Sequence, residues 1–238
     1  MLDLSRLNPP QREAVLCTEG PLLVLAGAGS GKTRVLTHRI ARLIETGVPA
    51  WSILAITFTN KAAREMRERV LSLSAQSADD AWVMTFHACC ARILRRDIEK
   101  LGYKRSFSIY DDDDQRSLIK SLLAALKLDE KVYTVQAVRA AISDAKNKLM
   151  TPAEWLQSAG NDFKAQKIAE VYKQYEKKLK ENSALDFDDL LIKTLELFAQ
   201  HPPVLEYYKQ KFRYILVDEY QDTNRAQYEL IRLMASNH

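Results

Sequence analysis

Cysteine is scarce in this chain. Cys17, Cys89 and Cys90 are the only three thiols in 238 residues, an odd number with no C-x-x-C spacing. That excludes a disulfide framework or a zinc-ribbon arrangement and points to idle thiols in a reducing compartment. No stretch approaches the ~18 consecutive apolar residues of a membrane span. The first ten residues, MLDLSRLNPP, place acid and proline where a secretory leader needs an apolar run. A cytoplasmic protein with no membrane partner is expected. Low-complexity tracts and solenoid repeats are missing as well. The net charge of +4 is too mild to identify a nucleic-acid partner, but it is uneven: residues 34–105 hold 13 Lys/Arg against 7 Asp/Glu. A basic sub-region of that kind points to phosphates.

What is present is a recurring unit, an apolar run that ends in small or polar residues and is followed by a helical pattern. PLLVLA (21–26) leads to a helix near 31–46, and ILAITF (53–58) to NKAAREMRERV (60–70). WVMTF (82–86) leads to HACCARILRRDIEKL (87–101), and YILVD (214–218) to TNRAQYELIRLMA (223–235). Short β-rich runs alternating with helices predict an α/β fold, a parallel sheet covered by helices. From about 111 to 200 only helical periodicity is found, punctuated by Pro152, Gly160 and Pro202–Pro203. An all-helical insert is therefore expected to split the α/β domain into two sequence segments.

Of only seven glycines, three fall at 27, 29 and 31. AGAGSGKT (26–33) fits the phosphate-loop pattern G-x-x-x-x-G-K-[ST] with Ala26 in the first position. Backbone N–H groups of Ala28, Gly29, Ser30 and Gly31 are expected to cradle phosphate oxygens at a helix N-terminus. Lys32 would reach the β- and γ-phosphates, and the Thr33 hydroxyl would ligate Mg²⁺. The acid pair Asp218 and Glu219 closes the apolar run YILV, at the strand end where such sheets bind ligands. Asp218 is expected to share the Mg²⁺ with Thr33, and Glu219 to polarise an attacking water. The bland alternative is that both acids cap the following helix.

Two further strands end alike, ITFTN (56–60) and MTFHA (84–88). Phe58 and Phe86 are either core aromatics or faces on which bases stack, a contact worth ~1–3 kcal/mol per base. Basic residues follow both, Lys61, Arg64, Arg67 and Arg69, then Arg92, Arg95 and Arg96, interleaved with acids that make some of them salt-bridge partners.

Taken together these blocks resemble superfamily 1 DNA helicases of the UvrD/Rep/PcrA type along the whole chain. LNPPQREAV (7–15) resembles the Q motif, which implies that Gln11 reads adenine. AGAGSGKTRVLTHRI resembles motif I, which implies that Arg34 packs on the base. ITFTNKAAREMRERV and TFHA resemble motifs Ia and Ib, which implies that Thr57, Phe58, Asn60, Phe86 and His87 face single-stranded DNA. LDFDDLL (185–191) resembles a further family block, and VDEYQDTN resembles motif II, with Gln221 coupling nucleotide to DNA. The implied architecture is a RecA-like P-loop NTPase sheet, domain 1A (1–88 and 212–238), interrupted by a helical domain 1B (89–211).

The implied activity is that of the ATP-binding part of a 3′-to-5′ DNA helicase or translocase in repair or replication. ATP and Mg²⁺ would be its cofactors, and single-stranded DNA, strand junctions and the C-terminal 2A/2B domains its partners. Repair or replication proteins are further candidate partners. The next motif and the second RecA-like domain do not follow in this sequence, so the fragment is expected to hydrolyse ATP very slowly and not to unwind DNA. Two alternatives stay open, an ATP-switched nucleic-acid-binding module and part of a RecB-like helicase-nuclease. A small-metabolite kinase is disfavoured, because basic and aromatic strand ends serve no purpose in one. Asp111–Asp114 and Asp186, Asp188 and Asp189 are expected to load helix starts rather than bind metal. His38 is expected to be structural.

Overall fold

The run Ile53–Thr57 is buried at every residue, as a parallel strand covered on both faces must be. In the computed structural model it is the middle strand, β1, of a three-stranded parallel sheet ordered β2–β1–β5, with β2 at Trp82–Thr85 and β5 at Tyr214–Val217. The structure describes residues 2–27, 29–74 and 78–236. Thr57 pairs with Thr85 across β1 and β2, and Ile56 pairs with Val217 across β1 and β5. All three strands therefore end together, and the peptide after Val217 continues the ladder, with Asp218 N–H donating to Ile56 O at 2.9 Å.

The chain divides into two units, each taken by itself: residues 1–89, 203–223 and 231–238, and residues 90–202 and 224–230. In the first, helices α1 (Pro9–Leu16), α2 (Lys32–Glu45) and α3 (Asn60–Leu73) accompany the sheet. Ile40 and Leu43 of α2, Met66 and Val70 of α3, and Ile53, Ala55, Val83 and Leu216 of the strands form one core. Burying an aliphatic side chain of this size fully contributes ~1.5–3 kcal/mol. α4 (Phe86–Asp97) follows β2 directly, and α10 (Pro202–Lys211) precedes β5.

The apolar run 21–26 is not the strand its composition predicts. No described strand pairs with it, and a strand without a ladder partner leaves its amides unpaired. Leu23 and Leu25 are 69% and 86% exposed. Replacing both by serine is expected to change stability by less than about 0.5 kcal/mol and to lower binding of an apolar dye. A loss of about 2–5 kcal/mol per leucine in a denaturant titration would instead mean that the run is packed.

The second unit contains α5 (Asp112–Ala125), α6 (Val135–Asn147), α7 (Pro152–Ser158), α8 (Phe163–Glu181) and α9 (Phe187–Gln200). Ile119, Leu123, Val138, Ile142, Val171 and Tyr175 are among the side chains of its core. It is not purely helical: β3 (Ser108–Ile109) pairs in parallel with β4 (Ala184–Leu185), a ladder too short to show as periodicity. Asp111 caps α5, its Oδ1 accepting from the N–H groups of Asp113 and Asp114 at 2.9 Å. Asp186 caps α9 in the same way, accepting from Asp189 N–H at 2.8 Å. Such caps stabilise by about 0.5–2 kcal/mol each.

Asp186 and Asp189 do more than start a helix. Lys146 of α6 is fully buried, with its ammonium 2.7–2.8 Å from Asp189, Asp186 and Glu176. Tyr175 donates to Asp186 at 3.0 Å. Burial works against the Lys146 charge, but Asp189, Asp186 and Glu176 outweigh it and hold its pKa well above the ordinary lysine value. Burial, reinforced by the Asp186 charge, holds Asp189 well above the carboxylate range. Among the described residues no helix is long and apolar enough to cross a membrane, and no group of three or more His, Cys, Asp or Glu side chains is placed to hold a metal ion. Burial pushes the Cys90 thiol up to about 12, so it is not ionised near neutral pH.

Candidate functional site

Glycine makes the turn that precedes α2. Gly29 and Gly31 have φ of +75° and +87°, which side chains with a Cβ rarely adopt. A Cβ on Gly31 would also lie 2.9 Å from the Gln11 amide nitrogen. Gly31 caps α2 without a side-chain hydrogen bond, so the first N–H groups of α2 have no side-chain cap and the helix opens at Lys32. Ser30 Oγ donates to Gly27 O at 2.6 Å and closes the loop on itself. Ala28, expected to line this cradle, lies outside the described residues.

Residues 185 positions apart meet here. Thr33 Oγ1 donates to Asp218 Oδ2 at 3.5 Å, and Lys32 Nζ is 3.7 Å from Glu219 Oε1. Lys32 also donates to Ala26 O at 3.4 Å. Glu219 Oε2 accepts from the Gln221 amide at 2.5 Å. Asp218 is 8% exposed; burial raises its pKa, the Glu219 charge adds to this, and the Thr33 hydrogen bond and Lys32 work against it. A hydroxyl and a carboxylate placed together are hard oxygen donors of the kind Mg²⁺ takes.

A cavity of about 530 Å³ adjoins these groups, lined by Gln11, the glycines 27, 29 and 31, Ser30, Lys32, Thr33, Arg34, Arg69 and Glu219. Gln11 is held there from two sides: its Oε1 accepts from Asn8 N–H at 3.1 Å and its Nε2 donates to Ser30 O at 2.8 Å. Arg69 also lines the cavity, although in the sequence it is indistinguishable from the other basic residues of α3. Its only local mark is an i,i+4 pairing with Glu65 at 3.8 Å, common to any charged helix.

The strand-end residues stand apart from this cavity's lining. Thr57 is buried, its hydroxyl donating to Thr59 O at 3.3 Å, and Thr59 caps α3 by accepting from Ala62 N–H at 3.1 Å. Thr85 accepts from Ala88 N–H at 3.2 Å and starts α4 in the same way. Phe86 is 1% exposed, so its ring offers no free face; it meets Phe58 edge-on, ring centres 5.5 Å apart. Phe58 is half-buried, Asn60 is exposed at the start of α3, and His87 is half-buried. Within α2, His38 Nδ1 donates to Arg34 O at 2.8 Å, a structural contact.

Residues 7–238 match the family model of the UvrD/REP helicase N-terminal domain. The chain is 57% identical over 233 residues to the ATP-dependent DNA helicase PcrA of Bacillus subtilis, covering 98% of this chain and 31% of the relative. It is 54% and 53% identical over 234 residues to the proteins of the same name from Staphylococcus aureus and Staphylococcus epidermidis, again over 98% of this chain and 32% of each relative. The chain thus spans about a third of the length of these relatives. On the family match over nearly its whole length, this chain belongs to the UvrD/REP helicase N-terminal domain family.

Proposed function

We propose that this chain is the nucleotide-gripping N-terminal part of an ATP-dependent 3′-to-5′ DNA helicase or translocase of repair or replication, and that it binds Mg-ATP and single-stranded DNA. The observation that carries the reading is the approach of Thr33 to Asp218 beside a glycine-lined cavity. Residues 1–88 and 212–238 would form domain 1A and residues 89–211 domain 1B.

Each side chain has a task in this scheme. The Gly29–Lys32 turn presents backbone N–H groups to phosphate oxygens. Lys32 exchanges the Glu219 carboxylate for phosphate, and Glu219 is then free to accept a proton from an attacking water. Thr33 and Asp218 would hold Mg²⁺, which when bound neutralises charge on the β- and γ-phosphates. Gln11 reads adenine, Arg34 packs on it, and Arg69 adds positive charge to the cavity. Gln221, bonded to Glu219, moves with it and reports nucleotide to the DNA-facing strand ends. Thr57, Phe58, Asn60 and His87 would meet the DNA strand, with Phe86 backing Phe58.

In the relatives' additional length a second RecA-like half would supply arginines to the γ-phosphate, contacts typically worth ~10³–10⁵ in rate. This chain alone is therefore expected to bind a fluorescent ATP analogue in a Mg²⁺-dependent way and to turn over ATP very slowly, with or without oligo-dT. Brisk DNA-stimulated hydrolysis by these 238 residues alone would contradict the reading, as would a lack of nucleotide binding.

A further inference from the structure

The acidic loop after β5 is held without slack. Glu219 sits in the left-handed region at φ +50°, a conformation that is unfavourable for a residue with a side chain and persists only when its surroundings fix it. Asp222 N–H donates to Glu219 O at 2.9 Å, and Thr223 donates to Tyr220 O from both its N–H at 3.2 Å and its hydroxyl at 2.9 Å. The next residue, Asn224, starts helix α11 (Arg225–Met234): its Oδ1 accepts from Gln227 N–H at 2.9 Å, and Gln227 Oε1 accepts from Asn224 N–H at 3.0 Å.

Asn224 also has a partner on α6. Its Nδ2 donates to Asn147 Oδ1 at 2.5 Å. The other end of the Asn147 amide donates to Ser143 O at 2.9 Å and to Asp188 Oδ1 at 3.3 Å. Both amides are therefore fixed in orientation, since rotating either would set like atoms face to face. Asn147 directly follows Lys146, whose ammonium is clamped by Asp186, Asp189 and Glu176. Nothing in the nucleotide chemistry above uses this network. It nonetheless begins five residues after Glu219 and ends in the buried core of the helical unit.

We propose that the Asn147–Asn224 amide pair is a positioning latch, which fixes the loop carrying Asp218 and Glu219 and passes a nucleotide-driven shift of that loop to α6. The proposal rests on the Mg-nucleotide reading of the site. Asn224 acts through Glu219 and does not touch the nucleotide. Asn224→Ser keeps a side-chain oxygen to cap α11 but is too short to reach Asn147, and Asn147→Ala removes the acceptor from the other side.

The test is hydrogen exchange of the 143–150 segment, with and without Mg²⁺ and a non-hydrolysable ATP analogue. In the unaltered chain nucleotide is expected to slow exchange there by roughly fivefold or more, within the usual range of coupling between sites. In either variant the effect should fall below about twofold while nucleotide affinity stays within about threefold. Loss of a cap or a packing contact would lower stability with or without nucleotide and leave this difference in place. Nucleotide binding with no change in 143–150, or variants that keep the full effect, would overturn the latch. Absence of nucleotide binding in the unaltered chain would overturn the functional reading first, and the latch with it. If Asn224→Ser fails to fold, Asn147→Ala decides.

Discussion

Glu219→Gln is expected to lower Mg-ATP turnover by the protein that contains this chain about a hundredfold or more, the usual loss when a general base is removed. Nucleotide affinity should hold within about threefold, the pattern of an interaction made in the transition state and not in the ground state. The expectation follows from three contacts. Glu219 faces Lys32 at 3.7 Å, receives a hydrogen bond from Gln221 at 2.5 Å, and lines the cavity beside the glycine turn. Glutamine keeps the volume and an acceptor for Gln221 but cannot take a proton from water. It also relieves Lys32 of a competing carboxylate, so binding has no reason to weaken. Steady-state kinetics with saturating oligo-dT and an equilibrium titration separate the two effects. Unchanged turnover would return Glu219 to the bland role of shaping the segment before α11.

Lys146→Met should destabilise the chain by about 3–5 kcal/mol, the usual consequence of removing one partner of a buried charge cluster. Methionine fills the space of the lysine stem but leaves Glu176, Asp186 and Asp189 with no cation. Crowded carboxylates in a buried site hold protons to higher pH than the ordinary values of about 3.9–4.3. The folded variant then binds more protons than its unfolded state, so its stability falls as pH rises. The deficit against the unaltered chain should accordingly shrink between pH 8 and pH 5. Urea titrations at the two pH values measure it. A deficit below about 1 kcal/mol, or one that grows toward pH 5, would show that Lys146 does not hold the cluster together.

The sequence was most legible where a single residue type has a single physical task. β1, β2 and β5 follow from short β-rich runs, and the helices after them from their apolar faces, with α2 and α11 ending within two residues of expectation. The glycines at 29 and 31 marked a tight turn before a helix, and both carry positive φ, while the acid pair following YILV marked the strand end. The run 21–26 misled because apolar composition reports a need for burial, whereas a strand also requires a neighbour's backbone. Pro202 and Pro203 read as punctuation in the sequence, yet they open α10, because the first turn of a helix is where proline's missing N–H costs nothing. Phe86 has the composition of a stacking platform, but its neighbours in three dimensions enclose it.

Other features left no local trace. Arg69 lines the cavity from a helix whose other arginines sit in the same charge pattern. The Lys146 cluster and the Asn147–Asn224 pair join residues 40 and 77 positions apart. Long-range polar pairing of this kind leaves no periodicity, and the aspartates of DFDD look the same whether they only cap α9 or also hold a buried lysine.

The central claim is that Thr33 and Asp218 share one metal–nucleotide site. Oxidative cleavage with Fe²⁺ in place of Mg²⁺ tests it most directly, because a bound redox-active iron cuts backbone only in its immediate surroundings. With ATP, Fe²⁺ and peroxide, two cuts are expected, one near Thr33 and one near Asp218, both dependent on nucleotide and both suppressed by excess Mg²⁺. A nucleotide-dependent cut near only one of these residues, or none at either, would contradict the account.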